Sequence, residues 1–415
     1  MLDLKIIREN PDLIKKACLQ RGVKIDIDKI LELDTKRRKL QKEVDELRSE
    51  QNKVKDNSQI SQMKQIKEKI KKLEIEAKSV GHNLNSLVSE LPNLPLDDVP
   101  EGKNENDNKV IKEAGEKPKF DFQPADYLSL AEELDLIDVE RAGKVSGSRF
   151  GYLKNEAAML EFAIMKYALD MLLEEGFVFM VPPVMIKPEM MLATGYSSYT
   201  EGQEAYYLEK DKLFLAGTGE HALITYHADE ILSASGRKPL PLRYVAFSTC
   251  FRREAGSYGK DTKGIFRVHQ FDKLEMVSFT RAEQSKKEFE FLLSMQERLV
   301  QGLKLPYHLL AVCANDLPKP SAKVIDLECW IPSESKYRET HSVSNCTDFQ
   351  ARRLNIRYKE NGQNHFAHTL NGTAFAMPRI IIAIIENYQT IDGTIKVPEV
   401  LRKYLNFEEI KEGSA

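Results

Sequence analysis

The sequence is short of cysteine: five in 415 residues, at Cys18, Cys250, Cys313, Cys329 and Cys346, an odd number without Cys-x-x-Cys spacing. That argues against a disulfide framework or zinc ribbon and for a reducing compartment. The eight histidines form neither a His-x-x-x-His nor a His-Glu-x-x-His pattern, so a helical zinc site is not expected. No apolar run approaches the roughly 18 residues of a membrane span. The opening MLDLKIIREN has early acids and lacks the apolar stretch of a secretory leader. No Gly-x-Gly-x-x-Gly follows a strand-like run, and the strand–helix alternation of a doubly wound sheet is missing. These absences predict a soluble cytoplasmic protein with no membrane partner. With 42% hydrophobic and 30% charged residues, the chain can fill the cores of two or three domains.

What the sequence does contain begins with a heptad pattern. Leu33, Arg37, Leu40, Val44, Leu47, Gln51 and Val54 alternate by four and three. Beyond a polar KDNSQ, Met63, Ile66, Ile70, Leu73, Ala77, Val80, Leu84, Leu87 and Leu91 do the same. Two such runs about a short turn predict an antiparallel helical hairpin over about 27–91, each helix near 40 Å long. A stripe so narrow leaves most of each helix in solvent, so the hairpin should form an arm. Residues 35–78 carry 14 Lys/Arg against 8 Asp/Glu although the whole chain has net charge −3. A basic arm on an acidic body suits a polyanionic partner better than a self-association coil.

LPNLPLDDVPEGKNENDN, residues 91–108, reads as a linker. We therefore expect an N-terminal domain over 1–103 and a second over 104–415. The second mixes helix and strand signals. Residues 157–177 form an apolar-rich helix, and FVFMVPPVMI, PLRYVAFSTCFRRE, IFRVHQFDKLEMVSF and VIDLECWIP read as strands. The expected class is α+β, an antiparallel sheet flanked by helices. In FRREAGSYGKDTKGIFRVHQF, alternation puts Arg252 and Glu254 on one face and Arg253 on the other. Arg267, His269, Phe271, Lys273 and Glu275 would share a face of the return strand. Guanidinium forks suit phosphate, a carboxylate can accept from an exocyclic amine, and a phenyl ring can stack on a base. A surface hairpin laced with salt bridges would show the same residues.

FRREAG and RVHQFDKLE resemble motif 2 of class II aminoacyl-tRNA synthetases, in the form typical of seryl-tRNA synthetases. HTLNGTAFAMPRIIIAIIENYQTIDGTIKVPEVLRKYL resembles the family's motif 3. ERAGKVSGSRFGYLKNEAAMLEFA and YRETHSVSNCTDFQARRLNIRY are similar as well, and Pro183 matches the motif 1 proline. The resemblance spans nearly the whole chain with its motifs in order. It implies a class II synthetase-like sheet with a coiled-coil tRNA-binding arm, ATP and L-serine as substrates, serine tRNA as partner, Mg²⁺, and a homodimer. Selenocysteine tRNA is a second candidate acceptor on the same resemblance.

The resemblance also implies residue roles. Arg252 would grip the α-phosphate, Glu254 the adenine amino group, and Phe271 would stack under adenine with Arg379 above it. Arg253, Val268, Thr340 and His341 would complete the nucleotide site, and Glu339 with Ser342 would hold the metal. Arg252, Arg379 and Glu339 are the expected catalytic residues. Serine would meet Thr218, Gly219, Glu220, Arg252, Glu275, Asn371 and Thr373. Gly219 stands where the family commonly has alanine, and Ala374 and Pro378 stand where motif 3 commonly has glycines. The cysteines supply no set for the zinc-dependent branch of the same specificity. A ligase that loads a carrier protein and a silent RNA-binding paralogue remain as rival classes.

Overall fold

The computed structural model describes residues 1–53, 60–196, 204–233, 239–254 and 263–413. The chain divides into two compact units, Met1–Leu94 and Pro95–Ala415. The division falls ahead of the expected boundary after residue 103, because the proline-rich stretch packs on the second unit. There Leu96 N donates to Ala322 O at 2.9 Å and Lys323 pairs with Asp98 at 2.5 Å.

The first unit is helical: α1 (Leu4–Glu9), α2 (Pro11–Gln20), α3 (Ile27–Lys53) and α4 (Ile60–Glu90). Asp3 caps α1 by accepting from Lys5 N at 2.7 Å, and α2 starts with proline in its first turn, where the missing N–H costs nothing. Leu40, Val44, Ile66, Ile70, Val80 and Leu84 are buried along α3 and α4. Val44 clusters with Ile66 and Ile70 while Lys36 pairs with Glu76. Rising numbers on one helix thus meet falling numbers on the other, so the two run antiparallel. The expected KDNSQ turn lies outside the described residues.

The base of the hairpin departs from the heptads. Asp34 and Val88 are buried, whereas the expected seam residues Leu33, Arg37 and Leu87 are only half-buried. There α3 also packs on α1 and α2, which widens its buried stripe beyond a two-helix seam. Asp34 accepts from Arg8 at 3.0 Å, Arg37 at 3.2 Å and Arg38 at 3.1 Å. Burial opposes its ionisation, but these arginines hold its carboxyl below the usual range. A depressed carboxylate stabilises the fold above its unfolded pKa, and that contribution fades as pH falls. Asp34→Asn should cost about 1–3 kcal/mol at pH 7. The deficit should close below about pH 4, read from urea unfolding by the far-ultraviolet signal.

The second unit is built on an eight-stranded sheet. Its strands are β1 (Lys109–Ala114), β2 (Val178–Met180), β3 (Leu242–Phe251), β4 (Gln270–Thr280), β5 (Tyr307–Ala311), β6 (Lys323–Ile331), β7 (Lys336–Asn345) and β8 (His368–Ala376). They lie in the order β1-β5-β6-β7-β8-β4-β3-β2. Every neighbouring pair is antiparallel, as expected, except β2, which adds parallel to β3 at the edge. Pro182 and Pro183 end that short strand, and the chain resumes as Met185–Ile186 in a separate small sheet.

The two faces differ. Val245, Leu274, Met276, Ile325, Leu327, Val343 and Leu370 point into the main core. Three helices cover that side: α5 (Asn155–Glu174), α7 (Ser285–Gly302) and α9 (Met377–Asn387). Helix α5 stops where Gly176, at φ +84°, lets Phe177 N return to Leu172 O at 3.0 Å and its own N–H reach Leu173 O at 3.1 Å, a glycine-terminated C-cap. On the opposite face, α6 (Gly219–Thr225) and α8 (Phe349–Leu354) form a smaller apolar cluster with Ala246, Val277 and Phe279. Between these helices and β7 the face is polar. All five cysteines are free and buried, and no helix among the described residues is long and apolar enough to cross a membrane.

Candidate active site

Register assembles the polar face. Glu275 on β4 lies opposite Ala246 on β3 and Thr373 on β8, and Lys273 opposite Ser248 and Ala376. Asn371 lies opposite Ser344 on β7, and Ser342 opposite Asp326 on β6. Directly opposed residues share a face, so these side chains converge.

One end of this face is a closed polar pocket. Thr218 caps α6, its hydroxyl accepting from Glu220 N at 3.3 Å and from Lys273 Nζ at 3.3 Å. Capping and site-building are thus the same act. Gly219 allows the close fit: a Cβ there would stand 3.1 Å from Ser248 Oγ and 3.3 Å from Glu275 Cβ. Lys273 Nζ lies 2.5 Å from Glu275 Oε2. Glu275 is 1% exposed, Glu220 3% and Lys273 8%. Glu220 accepts from Gln350 Nε2 at 2.8 Å and Tyr196 Oη at 3.1 Å. Burial, then the charge of Glu275, still push its carboxyl up to about 7. Asn371 and Thr373 complete the wall, both buried, with Asn371 Nδ2 donating to Cys346 Sγ at 3.8 Å.

The neighbouring concavity is lined by Arg252, Glu254, Arg267, Val268, Phe271, Lys273, Glu339, Thr340, Thr373 and Arg379, among others. Arg252 Nε donates to Gly217 O at 2.9 Å, and its guanidinium lies 5.4 Å from the Phe271 ring centre. Its backbone N–H continues the β3–β4 ladder to His269 O at 2.9 Å, and His269 Nδ1 lies 2.9 Å from Arg252 O. Glu254 sits in left-handed backbone at φ +52°, and Arg267 Nη1 donates to its Oε2 at 2.8 Å. Arg379, in the first turn of α9 just after Pro378, donates to Glu339 O at 3.0 Å and pairs with Glu339 Oε2 at 3.0 Å. The Glu339 side chain keeps 46% of its surface exposed, so desolvation resists its ionisation only in part, and Arg379, with Arg252 and Lys273, holds its carboxyl below the usual range. Asp326 goes the other way: burial and then Glu339 push it well up, against a hydrogen bond from Ser342.

Several expected site residues are placed differently. Arg253 turns away, with Nε donating to Ala205 O at 3.0 Å and its guanidinium over Tyr206. His341 points into the core side, where its ring meets Phe375 and Thr340 Oγ1; burial lowers it to about 3, so it is neutral. Arg379 lies over Phe266, 5.0 Å from its ring centre, and lines the same concavity as Phe271. The loop 255–262 lies outside the described residues. Sequence reasoning set Arg267 on the expected face of the return strand but did not place Asp326, Gln350, Tyr196 or Phe266 in the site. Asp326 alternates with Glu328 on β6 and could have been found by strand parity; Gln350 and Tyr196 carry no local signal. A larger cavity of about 380 Å³ lies alongside and shares Val268, Phe271 and Pro378, but the arginines and Glu339 line the smaller one.

Comparison with known proteins gives the family of both units. Residues 1–95 match the seryl-tRNA synthetase N-terminal domain, and residues 206–388 the tRNA synthetase class II core domain (G, H, P, S and T). The serine–tRNA ligase of Dictyoglomus turgidum is 43% identical over 99% of this chain and 99% of its own length. This chain belongs to the seryl-tRNA synthetase family. The serine–tRNA ligase of Clavibacter michiganensis is also 43% identical, over 100% of this chain and 99% of its own. A seryl-tRNA synthetase of Pyrococcus horikoshii, solved with ATP, superposes with TM-score 0.93 at 39% identity over 99% of this chain and 100% of that one. The cytoplasmic serine–tRNA ligase of Naegleria fowleri, solved with AMP, gives 0.90 at 30% identity over 100% and 99%.

The raised pKa of Glu220 makes a stability prediction independent of turnover. In an unfolded seryl-tRNA synthetase chain a glutamate ionises near ~4.3, here near 7, so ionisation weighs against the fold from about pH 4 upward and fully above 7. Glu220→Gln should therefore be more stable than the parent by about 3 kcal/mol at pH 8. The gain should vanish near pH 4, measured by denaturant unfolding without ligands.

Proposed function

We propose that this chain charges tRNA with L-serine in two steps, first making seryl-adenylate from serine and ATP. The observation that carries this reading is the charge count of the closed pocket. Glu220 and Glu275 face a single ammonium, Lys273, in a site shut from water. When Glu220 is ionised, one negative charge exceeds what Lys273 balances, and because such a buried charge is costly the carboxyl is pushed up to about 7. The α-ammonium of an amino acid balances it, and Thr218, Asn371 and Thr373 offer partners to a small hydroxyl. Alanine or glycine would leave those groups unpaired, which is the physical basis for rejecting them.

The arginine-lined concavity suits the nucleotide. It amounts to about 60 Å³, too small for ATP while Arg379 is held by Glu339 and Glu254 by Arg267. Phosphates would take over Arg379 and Arg252, and the adenine amino group would take over Glu254. A serine carboxylate oxygen then attacks the α-phosphorus in line, the bond to the bridging oxygen breaks, and pyrophosphate leaves. Arg252 and Arg379 offset the charge that develops there. In the second step a terminal ribose hydroxyl of tRNA attacks the seryl carbonyl and AMP departs.

The residues also fit Mg²⁺. Glu339 and Ser342 offer a carboxylate and a hydroxyl, and the neighbouring Asp326 is crowded by the Glu339 charge, which a hard cation would relieve. Two protein oxygens beside phosphates are a usual magnesium environment. Bound there, the ion would neutralise phosphate charge.

We further infer a cytoplasmic homodimer whose basic arm binds serine tRNA through backbone and shape. Lys39, Lys42, Lys67, Lys71 and Lys72 are exposed on the arm. Met159 and Phe162 on α5, and Val178 and Phe179 on β2, are exposed apolar residues of the second unit that a second copy would cover. Phe162→Glu should shift the protein toward monomer in sedimentation velocity. An unchanged dimer would remove this face from the interface.

The central test is ATP–pyrophosphate exchange with serine, threonine, alanine, glycine and cysteine in turn. Exchange with serine alone is expected, and Glu275→Ala should abolish it while the fold survives. Exchange with alanine or glycine instead would indicate a carrier-loading ligase, and none at all a silent RNA-binding paralogue. Charging assays with serine and selenocysteine tRNAs then decide which acceptors are served.

A further inference from the structure

We propose that Gln350, on α8 outside the expected site, is the positioning residue that fixes Glu220 as a carboxylate acceptor in the amino-acid pocket. This rests on the reading of that pocket as the serine site. Gln350 is fully buried and its amide is completely used. Nε2 donates to Glu220 Oε1 at 2.8 Å and to Thr194 O at 3.0 Å. Oε1 accepts from Thr369 Oγ1 at 2.7 Å. Turning the amide over would set Oε1 against a carboxylate and a carbonyl, with no proton between them, so the orientation is dictated by its partners.

Thr369 stands two and four residues before Asn371 and Thr373 on the same strand, and all three share a face. The chain Thr369–Gln350–Glu220 therefore ties the substrate-facing part of β8 to the start of α6. It sets where Glu220 sits relative to the residues that would meet the hydroxyl. Buried networks with every member satisfied specify a single arrangement.

The groups facing Glu220 come from several elements. Glu275 and Lys273 come from β4 and Tyr196 from the segment after Ala193, Cys346 from the segment before α8, and His221 from α6 itself. Burial lowers His221 to about 3 and raises the Cys346 thiol well above its ordinary value, so both are neutral. Glu275 opposes ionisation of Glu220 while Lys273 favours it; the hydrogen bonds from Gln350 and Tyr196 favour it as well. Deleting the Gln350 donor should leave Glu220 protonated at neutral pH. A neutral acid is a poor partner for an ammonium.

The test is ATP–pyrophosphate exchange by the full-length protein between pH 6 and 9, comparing the parent with Gln350→Met, which keeps the length and removes the donor. In the parent, KM for serine should fall as pH rises through about 7. In the variant it should be roughly ten- to a hundredfold higher at pH 7. The fall should move to higher pH and the gap should narrow by pH 9. KM for ATP and kcat at saturating serine should change little. A pH-independent rise in serine KM, or no rise, would overturn the proposal. Thr369→Val, which removes only the donor that orients the amide, should give a smaller shift in the same direction. If Gln350→Met does not fold, an unshifted Thr369→Val profile overturns the proposal instead. Absence of serine exchange in the parent would defeat the reading of the pocket itself, a distinct result.

Discussion

The second unit is organised around a buried charge imbalance. Glu275, Lys273 and Glu220 are withdrawn from water at a separation where one carboxylate is paired and the other is not. Such a group would move or open in a pliable protein, because its solvation is lost and only part is returned by the ion pair. It is held by the backbone ladder of β4, whose neighbours on both sides are themselves central strands. A helix cap at Thr218 and a closed hydrogen-bond chain behind Glu220 add to this. The apolar face of the same sheet supplies the stability that lets its polar face be unfavourable.

The arginine side shows the same logic with opposite sign. Arg379 and Arg267 carry charges suited to a polyanion, and each is occupied by an internal carboxylate, Glu339 and Glu254. These pairs are partly exposed and worth little in isolation, so an incoming anion could displace them cheaply. The contrast with the pocket is informative. On the side of Glu220 and Glu275 the partners are buried and fixed; on the arginine side they are partly exposed and exchangeable.

Much of this was legible in the sequence, and the reasons differ by element. The arm declared itself through heptads, since a two-helix seam has a fixed period. Its base did not: Asp34 reads as one more polar residue, and its burial depends on Arg8, more than twenty residues earlier. On β3 and β4, strand parity separated Arg252 from Arg253 and joined Lys273 to Glu275. Gln350 was invisible because its partners, Thr194, Glu220 and Thr369, are scattered along the chain and meet only in the folded unit.

Parity failed at two places, and for one reason. In a regular strand Glu339 would share a face with His341 and oppose Ser342. A bulge at Thr340 breaks the β6–β7 register, so Leu327 faces His341 but Glu328 faces Glu339. Glu339 is thereby brought to the face of Ser342 and Asp326, while His341 stays in the core. On β8 a second bulge at Ala374 lets Phe375 oppose Leu274 in the core while Thr373 opposes Glu275 in the pocket. Each bulge inserts one residue and flips everything beyond it. One flip delivers Glu339 to the arginine-lined concavity; the other keeps Phe375 in the core while Thr373 faces Glu275. The strands can thus run unbroken through the apolar core and still gather both sets of polar groups on one surface.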